Sequence, residues 1–210
     1  MKSKNQRLSE YLGLSPVVAV LQFNDVDQAV ETSRALVAGG IPLIEITLRT
    51  KEALSCIKAV SKQVKGAIVG AGTVLGPSLM VDSIEMGAQF LVAPGATQDL
   101  MDANSKTDVP LLPGIATPSE AMGLMVEGYE FLKFFPAEQA GGPAYLKAMG
   151  AVFPDLKFCP TGGLNAEKAP GYLALDNVIC VGGSWVAPAN LIANGDYDAI
   201  SELAAQACGS

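Results

Sequence analysis

A parallel (β/α)8 barrel is the fold class this sequence predicts, on three observations. Short β-branched runs alternate with longer amphipathic stretches from end to end. Eight such runs begin near Val17, Leu43, Ala67, Gln89, Pro110, Phe131, Lys157 and Val178, spaced 21 to 26 residues apart. That spacing holds one strand, two short loops and a helix. No polar linker interrupts the series, so residues 1–210 read as a single domain. Eight near-equal units favour closure into a TIM barrel over a doubly wound open sheet, with tight connections at this length.

The joints between units carry helix starts and stops. Thr117-Pro118-Ser119-Glu120 is a capping box with proline at the first helical position. Asn24 with Asp25 and Asp27, Thr50 before Lys51-Glu52, and Pro143 after Gly141-Gly142 are weaker starts of the same kind. Gly39-Gly40 and Gly87 read as helix stops. Arg7–Leu14 predicts a short N-terminal helix capping the barrel bottom, and Tyr197–Ala207 a C-terminal helix. Around Glu167–Leu173, Pro170 predicts a short helix.

Composition narrows the chemistry. Half the residues are hydrophobic and 17% are charged, which argues against disorder. A net charge of −7 disfavours nucleic acid and anionic membranes as partners, while leaving room for a locally positive pocket. No apolar stretch approaches bilayer-spanning length. The four cysteines, at 56, 159, 180 and 208, form no C-x-x-C pair, so neither a disulfide framework nor a zinc site is expected and a cytoplasmic location is. There is no histidine, which removes the commonest general base and metal ligand. Chemistry must rest on lysine, carboxylate, arginine, hydroxyls and backbone.

Lys133 stands out in Phe131-Leu132-Lys133-Phe134-Phe135-Pro136, a lysine among three phenylalanines. An unperturbed lysine is neutral in about one molecule in 2,500 at pH 7. Burial disfavours the charged form, and a neutral amine attacks carbonyls to form a Schiff base. Strand side chains alternate, so Phe131, Lys133 and Phe135 share one face, as do Glu45, Thr47 and Arg49. With Ile44, Ile46 and Leu48 packed on helices, the polar set faces the barrel axis. Glu45 and Arg49 alone would read as a structural ion pair. A buried amine, carboxylate and guanidinium together carry a net positive charge that an anionic substrate would balance.

Gly70-Ala71-Gly72-Thr73, Pro94-Gly95-Ala96-Thr97, Pro113-Gly114-Ile115-Ala116-Thr117, Thr161-Gly162-Gly163 and Gly182-Gly183-Ser184 follow predicted strands, at the barrel end that carries active sites. Turns there need glycine and a capping hydroxyl anyway. The doublets Gly162-Gly163 and Gly182-Gly183, with Ser184, fall after the seventh and eighth strands, where barrels bind phosphate on backbone N–H groups.

Gly40-Ile41-Pro42-Leu43-Ile44-Glu45-Ile46-Thr47-Leu48-Arg49 and Gly128-Tyr129-Glu130-Phe131-Leu132-Lys133-Phe134-Phe135-Pro136-Ala137 resemble the two hallmark motifs of the KDPG/KHG aldolases. These class I enzymes cleave 2-keto-3-deoxy-6-phosphogluconate (KDPG) or 4-hydroxy-2-oxoglutarate (KHG). The likeness runs over nearly the whole chain, including Phe158-Cys159-Pro160-Thr161-Gly162-Gly163. It implies a (β/α)8 barrel, a homotrimer, and neither metal nor organic cofactor. It further implies Schiff-base formation by Lys133 with Glu45 as acid/base. Arg49, Thr73 and Thr161 would hold the pyruvyl part, Pro94 and Phe135 would wall it, and Gly162, Gly163 and Ser184 would take the phosphate, beside Gly182 and Gly183. The substrate is then a small keto-acid phosphate.

Three other readings use the same residues. An aldolase for the galactonate analogue would differ around the seventh strand, where Thr161 resembles the gluconate type. A cofactor-free sugar-phosphate isomerase would keep Glu45 as base and use Lys133 only electrostatically. A barrel that merely senses oxo-acid phosphates would need an output segment, and no stretch of the chain resembles one.

Overall fold

The computed structural model describes residues 2–209, and its strands and helices alternate along the chain. The strands are β1 (Val17–Leu21), β2 (Leu43–Thr47), β3 (Ile68–Gly72), β4 (Phe90–Val92), β5 (Leu111–Leu112), β6 (Gly114–Ile115), β7 (Phe131–Phe134), β8 (Lys157–Pro160) and β9 (Val181–Gly183). The helices are α1 (Lys4–Leu12), α2 (Val26–Ala38), α3 (Ala53–Gln63), α4 (Pro77–Glu85), α5 (Gln98–Ser105), α6 (Pro118–Val126), α7 (Gly142–Val152), α8 (Ala169–Leu173), α9 (Ala189–Asn194) and α10 (Tyr197–Ala207). None of the described helices is long and apolar enough to cross a membrane.

All ladders are parallel. One sheet runs β5-β4-β3-β2-β1-β9 and the other β6-β7-β8. Bridges from Phe158 to Val178 and from Thr161 to Gly182 join β8 to β9. On the other side the predicted fifth strand is split. Pro113 has no N–H to give, so the ladder changes partner there: β5 pairs with β4, β6 pairs with β7, and the Pro113 carbonyl accepts from Lys133 N at 2.8 Å. Eight strand positions thus close into a (β/α)8 barrel, the fifth in two pieces.

Alternation along the strands sorts the core into two shells. Ile44, Ile46, Val69, Ala71, Leu91, Leu132, Phe134 and Phe158 pack outward on the helices. Val18, Leu43, Phe90, Val92, Leu112, Phe131, Cys159 and Cys180 fill the inside with Leu8 and Leu12 of α1. Helix α1 therefore plugs the barrel's amino end, as the sequence predicts, although it starts three residues earlier and stops at Gly13. Its start is set by a capping box between Ser3 and Gln6. Burying its two leucines contributes about 1.5–3 kcal/mol each.

Helix α6 begins with the predicted box: Thr117 N and Ala116 N both donate to Glu120 Oε2 at 2.8 Å. Of the weaker predicted start at Asn24, Asp25 and Asp27, Asp25 is the residue that caps α2. Another is corrected. Thr50 caps nothing; α3 starts after Glu52, and the Thr50 hydroxyl instead donates to Phe23 O at 2.6 Å. The short α9 lies outside the predicted elements.

Candidate active site

Lys133 and Glu45 meet inside the barrel. Both are nearly fully buried, and Lys133 Nζ donates to Glu45 Oε1 at 3.3 Å. Position follows from register. Glu45 on β2 lies opposite Gly70 on β3, and Lys133 on β7 lies between Gly114 and Cys159. The amine also sits 5.5 Å from the centroid of the Phe135 ring. Of the three phenylalanines expected around it, Phe134 is excluded. Strand parity turns that ring outward, where it stacks on Tyr145 of α7 at 5.6 Å.

Glycines make room for this pair. A Cβ on Gly72 would fall 2.1 Å from Glu45 Oε1, and one on Gly70 would fall 2.5 Å from the Phe90 ring. A Cβ on Gly182 would fall 2.3 Å from Thr161 Oγ1, a hydroxyl otherwise 3.4 Å from Cys159 O. Gly70, Gly72, Gly182 and Gly183 were expected in turns, but all four lie within strands. Gly70, Gly72 and Gly182 leave missing volume inside a small barrel, and Gly183 leaves room for the Trp185 ring on the helix side, where a Cβ would fall 1.7 Å away.

Arg49 corrects another expectation. β2 ends at Thr47, so Arg49 lies in the following turn, exposed at the mouth, and is not buried with the amine and carboxylate. The buried group is a one-to-one ion pair without net charge. Arg49 Nε donates to Thr73 Oγ1 at 3.2 Å. Among the described non-glycine residues only Thr73 has a positive φ, 60°. For a β-branched residue that costs about 1–3 kcal/mol, the kind of strain found at functional sites.

A cavity of about 390 Å³ opens at the carboxyl ends of β1, β2, β8 and β9. Arg49, Phe135, Thr161, Gly162, Gly163, Gly182, Gly183 and Ser184 line it. Lys133 and Glu45 lie one strand step beneath Phe135 and Thr47, both on its wall. Thr73 and Pro94 are not on its wall: they follow β3 and β4, Thr73 bonded to Arg49 at the cavity's edge and Pro94 packed over Gly114. The sequence reading missed Gln22, Leu164 and Pro188 on the cavity wall. Gln22 directly follows β1, so the rule that strand carboxyl ends carry the site would have found it. Leu164 and Pro188 carry no such signal.

Among the described residues no cluster of three or more histidine, cysteine or carboxylate side chains could hold a metal ion. The arrangement offers a buried amine and carboxylate in contact inside the barrel, below a polar, glycine-walled mouth. That is a site for covalent carbonyl chemistry with local proton transfer.

The sequence matches the KDPG and KHG aldolase family over residues 8–203. The chain belongs to that family. It is 47% identical over 207 residues to 2-dehydro-3-deoxy-phosphogluconate aldolase of Pseudoalteromonas atlantica, covering 98% of this chain and 96% of that one. With the KHG/KDPG aldolase of Escherichia coli it shares 45% identity, covering 99% and 97%. The crystal structure of KDPG aldolase from Legionella pneumophila, with pyruvate captured as a covalent carbinolamine, superposes with a TM-score of 0.93 at 41% identity, covering 95% of this chain and 97% of that one.

Proposed function

We propose that this family member is a class I aldolase that cleaves KDPG to pyruvate and glyceraldehyde 3-phosphate through a Schiff base on Lys133, with KHG as a further substrate. The contact between the Lys133 amine and the Glu45 carboxylate carries the reading. It is supported by relatives named for KDPG and KHG and by the covalent pyruvate adduct in the Legionella relative.

That contact supports the following steps. Glu45 takes the ammonium proton across 3.3 Å, and the freed amine attacks the C2 ketone. Glu45 returns a proton to the carbinolamine oxygen, water leaves, and an iminium forms. The iminium accepts the electron pair released when the C3–C4 bond breaks, while Glu45 takes the C4 hydroxyl proton. Glu45 then gives a proton to C3 of the enamine, and water hydrolyses the iminium to release pyruvate and the Lys133 amine. Arg49, Thr73 and Thr161 supply donors for the pyruvyl carboxylate, and Pro94 and Phe135 wall that end. Gly162, Gly163 and Ser184 receive the phosphate, beside the space left by Gly182 and Gly183.

The same proposal makes the chain one barrel domain that assembles as a homotrimer in a reducing cytoplasm. Exposed Leu75, Val81, Met122, Met125 and Val126 offer apolar surface for subunit contact, and all four cysteines are free. The deciding experiment is borohydride reduction in the presence of pyruvate. A reduced pyruvyl mass on the Lys133 peptide supports the mechanism, and modification of another lysine, or of none, refutes it.

A further inference from the structure

Behind the Gly162–Gly163 wall stands a second acidic group that the aldol chemistry does not use. Glu138 follows β7, and its Oε1 accepts from Tyr172 Oη at 2.6 Å while its Oε2 accepts from Lys168 Nζ at 2.5 Å. Tyr172 is fully buried on α8, and Lys168 lies just before it, half-exposed. The backbone of the same segment is stitched to the glycine loop: Ala137 N donates to Thr161 O at 2.9 Å and Glu138 N to Gly162 O at 3.2 Å. The side chain presses on the loop as well. A Cβ on Gly163 would fall 2.8 Å from Glu138 Cγ.

Gly162 and Gly163 both have positive φ, 107° and 79°, which only glycine adopts freely. The same freedom leaves their N–H groups without a fixed direction unless neighbours impose one. One face of the loop lines the cavity, and the other carries Glu138. A bare carboxylate there would repel an incoming phosphate. Hydrogen bonds from Lys168 and Tyr172 hold the Glu138 carboxyl below its ordinary value, and Lys168 offsets its charge.

We propose that Glu138, clamped by Tyr172 and Lys168, is a positioning residue that fixes the Gly162–Gly163 backbone for the phosphoryl end of the substrate, and so sets the preference for phosphorylated keto acids. This rests on the phosphate reading of that loop given above. Glu138 touches no reacting atom; it acts through the loop.

The test compares kcat and KM for KDPG and for its unphosphorylated counterpart, 2-keto-3-deoxygluconate. Proton exchange at C3 of pyruvate in D2O reports the Lys133–Glu45 chemistry separately. Tyr172→Phe and Glu138→Ala are expected to raise KM for KDPG about tenfold, the size of one lost hydrogen bond to a charged group. KM for the unphosphorylated acid and pyruvate exchange should stay within about twofold of wild type on the same scale. Glu138→Gln keeps an acceptor for the Tyr172 phenol and should recover most of the KDPG affinity. Should Tyr172→Phe fail to fold, Lys168→Gln at a half-exposed side chain carries the same comparison. Equal losses on both substrates, or an unchanged KM for KDPG, overturn the proposal. Ser184→Ala separates it from the underlying reading. If that variant discriminates between the substrates and the Glu138 variants do not, only the positioning role falls; if none discriminates, the phosphate lies elsewhere.

Discussion

Gly72→Ala isolates the position of Glu45 without touching its chemistry. The added methyl would stand 2.1 Å from Oε1 and 2.6 Å from Cδ and Cγ of Glu45. Ordinary contact begins near 3.4 Å, so the carboxylate must retreat by more than 1 Å from its place 3.3 Å from Lys133 Nζ. The backbone at Gly72 is regular strand, so alanine brings no conformational strain of its own. Overpacking of this kind costs about 1–3 kcal/mol of stability, which leaves a folded protein. A displacement of about 1 Å in a catalytic group costs on the order of 10²-fold in rate. The expected result is kcat lowered about 10²-fold in a coupled assay that detects pyruvate with lactate dehydrogenase, in a protein with cooperative urea unfolding. A kcat within about fivefold of wild type would show that Glu45 tolerates displacement, and the proton-transfer role given to it would be wrong.

Three further outcomes follow from other parts of the molecule. Lys133→Met leaves Glu45 buried without its partner and should cost about 3–5 kcal/mol in urea unfolding, whereas Lys133→Met with Glu45→Gln should cost less than the single change; additive effects would mean the two groups are not coupled. Thr32 on α2 is fully buried and its hydroxyl has no hydrogen-bond partner, so Thr32→Val should stabilise the protein by about 1 kcal/mol, read as a higher urea midpoint. At the start of α6, desolvation raises the Glu120 carboxyl, but hydrogen bonds from Ala116 and Thr117 outweigh it and leave it below its ordinary value. Its stabilising effect is complete above the unfolded carboxyl pKa of about 4.3 and is lost as pH falls through the lower folded value. The gap in unfolding midpoint between wild type and Glu120→Gln should close over that range, and a gap independent of pH would assign the effect to packing.

Much of the site was legible from local rules. Strand parity put Glu45 on the face opposite Ile44 and Ile46, and packing of those apolar residues on the helices turned it inward. The same parity turned Lys133 inward, because alternation is a property of extended backbone and needs no partner strand. The same rule misplaced Arg49, since it cannot say where a strand ends. β2 stops at Thr47, and beyond it the alternation no longer applies. The fifth strand shows a related failure. Pro113 was visible, but the change of partner it forces depends on which strands flank it.

By itself the sequence determined the barrel class, the capping of α6, the plug at the amino end and the buried lysine. Each rests on periodicity or on chemistry within a few neighbouring residues. Tertiary structure decided what depends on distances between residues remote in the chain. Gly72 is shaped by Glu45, Gly182 by Thr161, and Glu138 meets Tyr172 across 34 positions. Close packing sets those contacts, and a linear order of residues carries no record of which volumes will coincide.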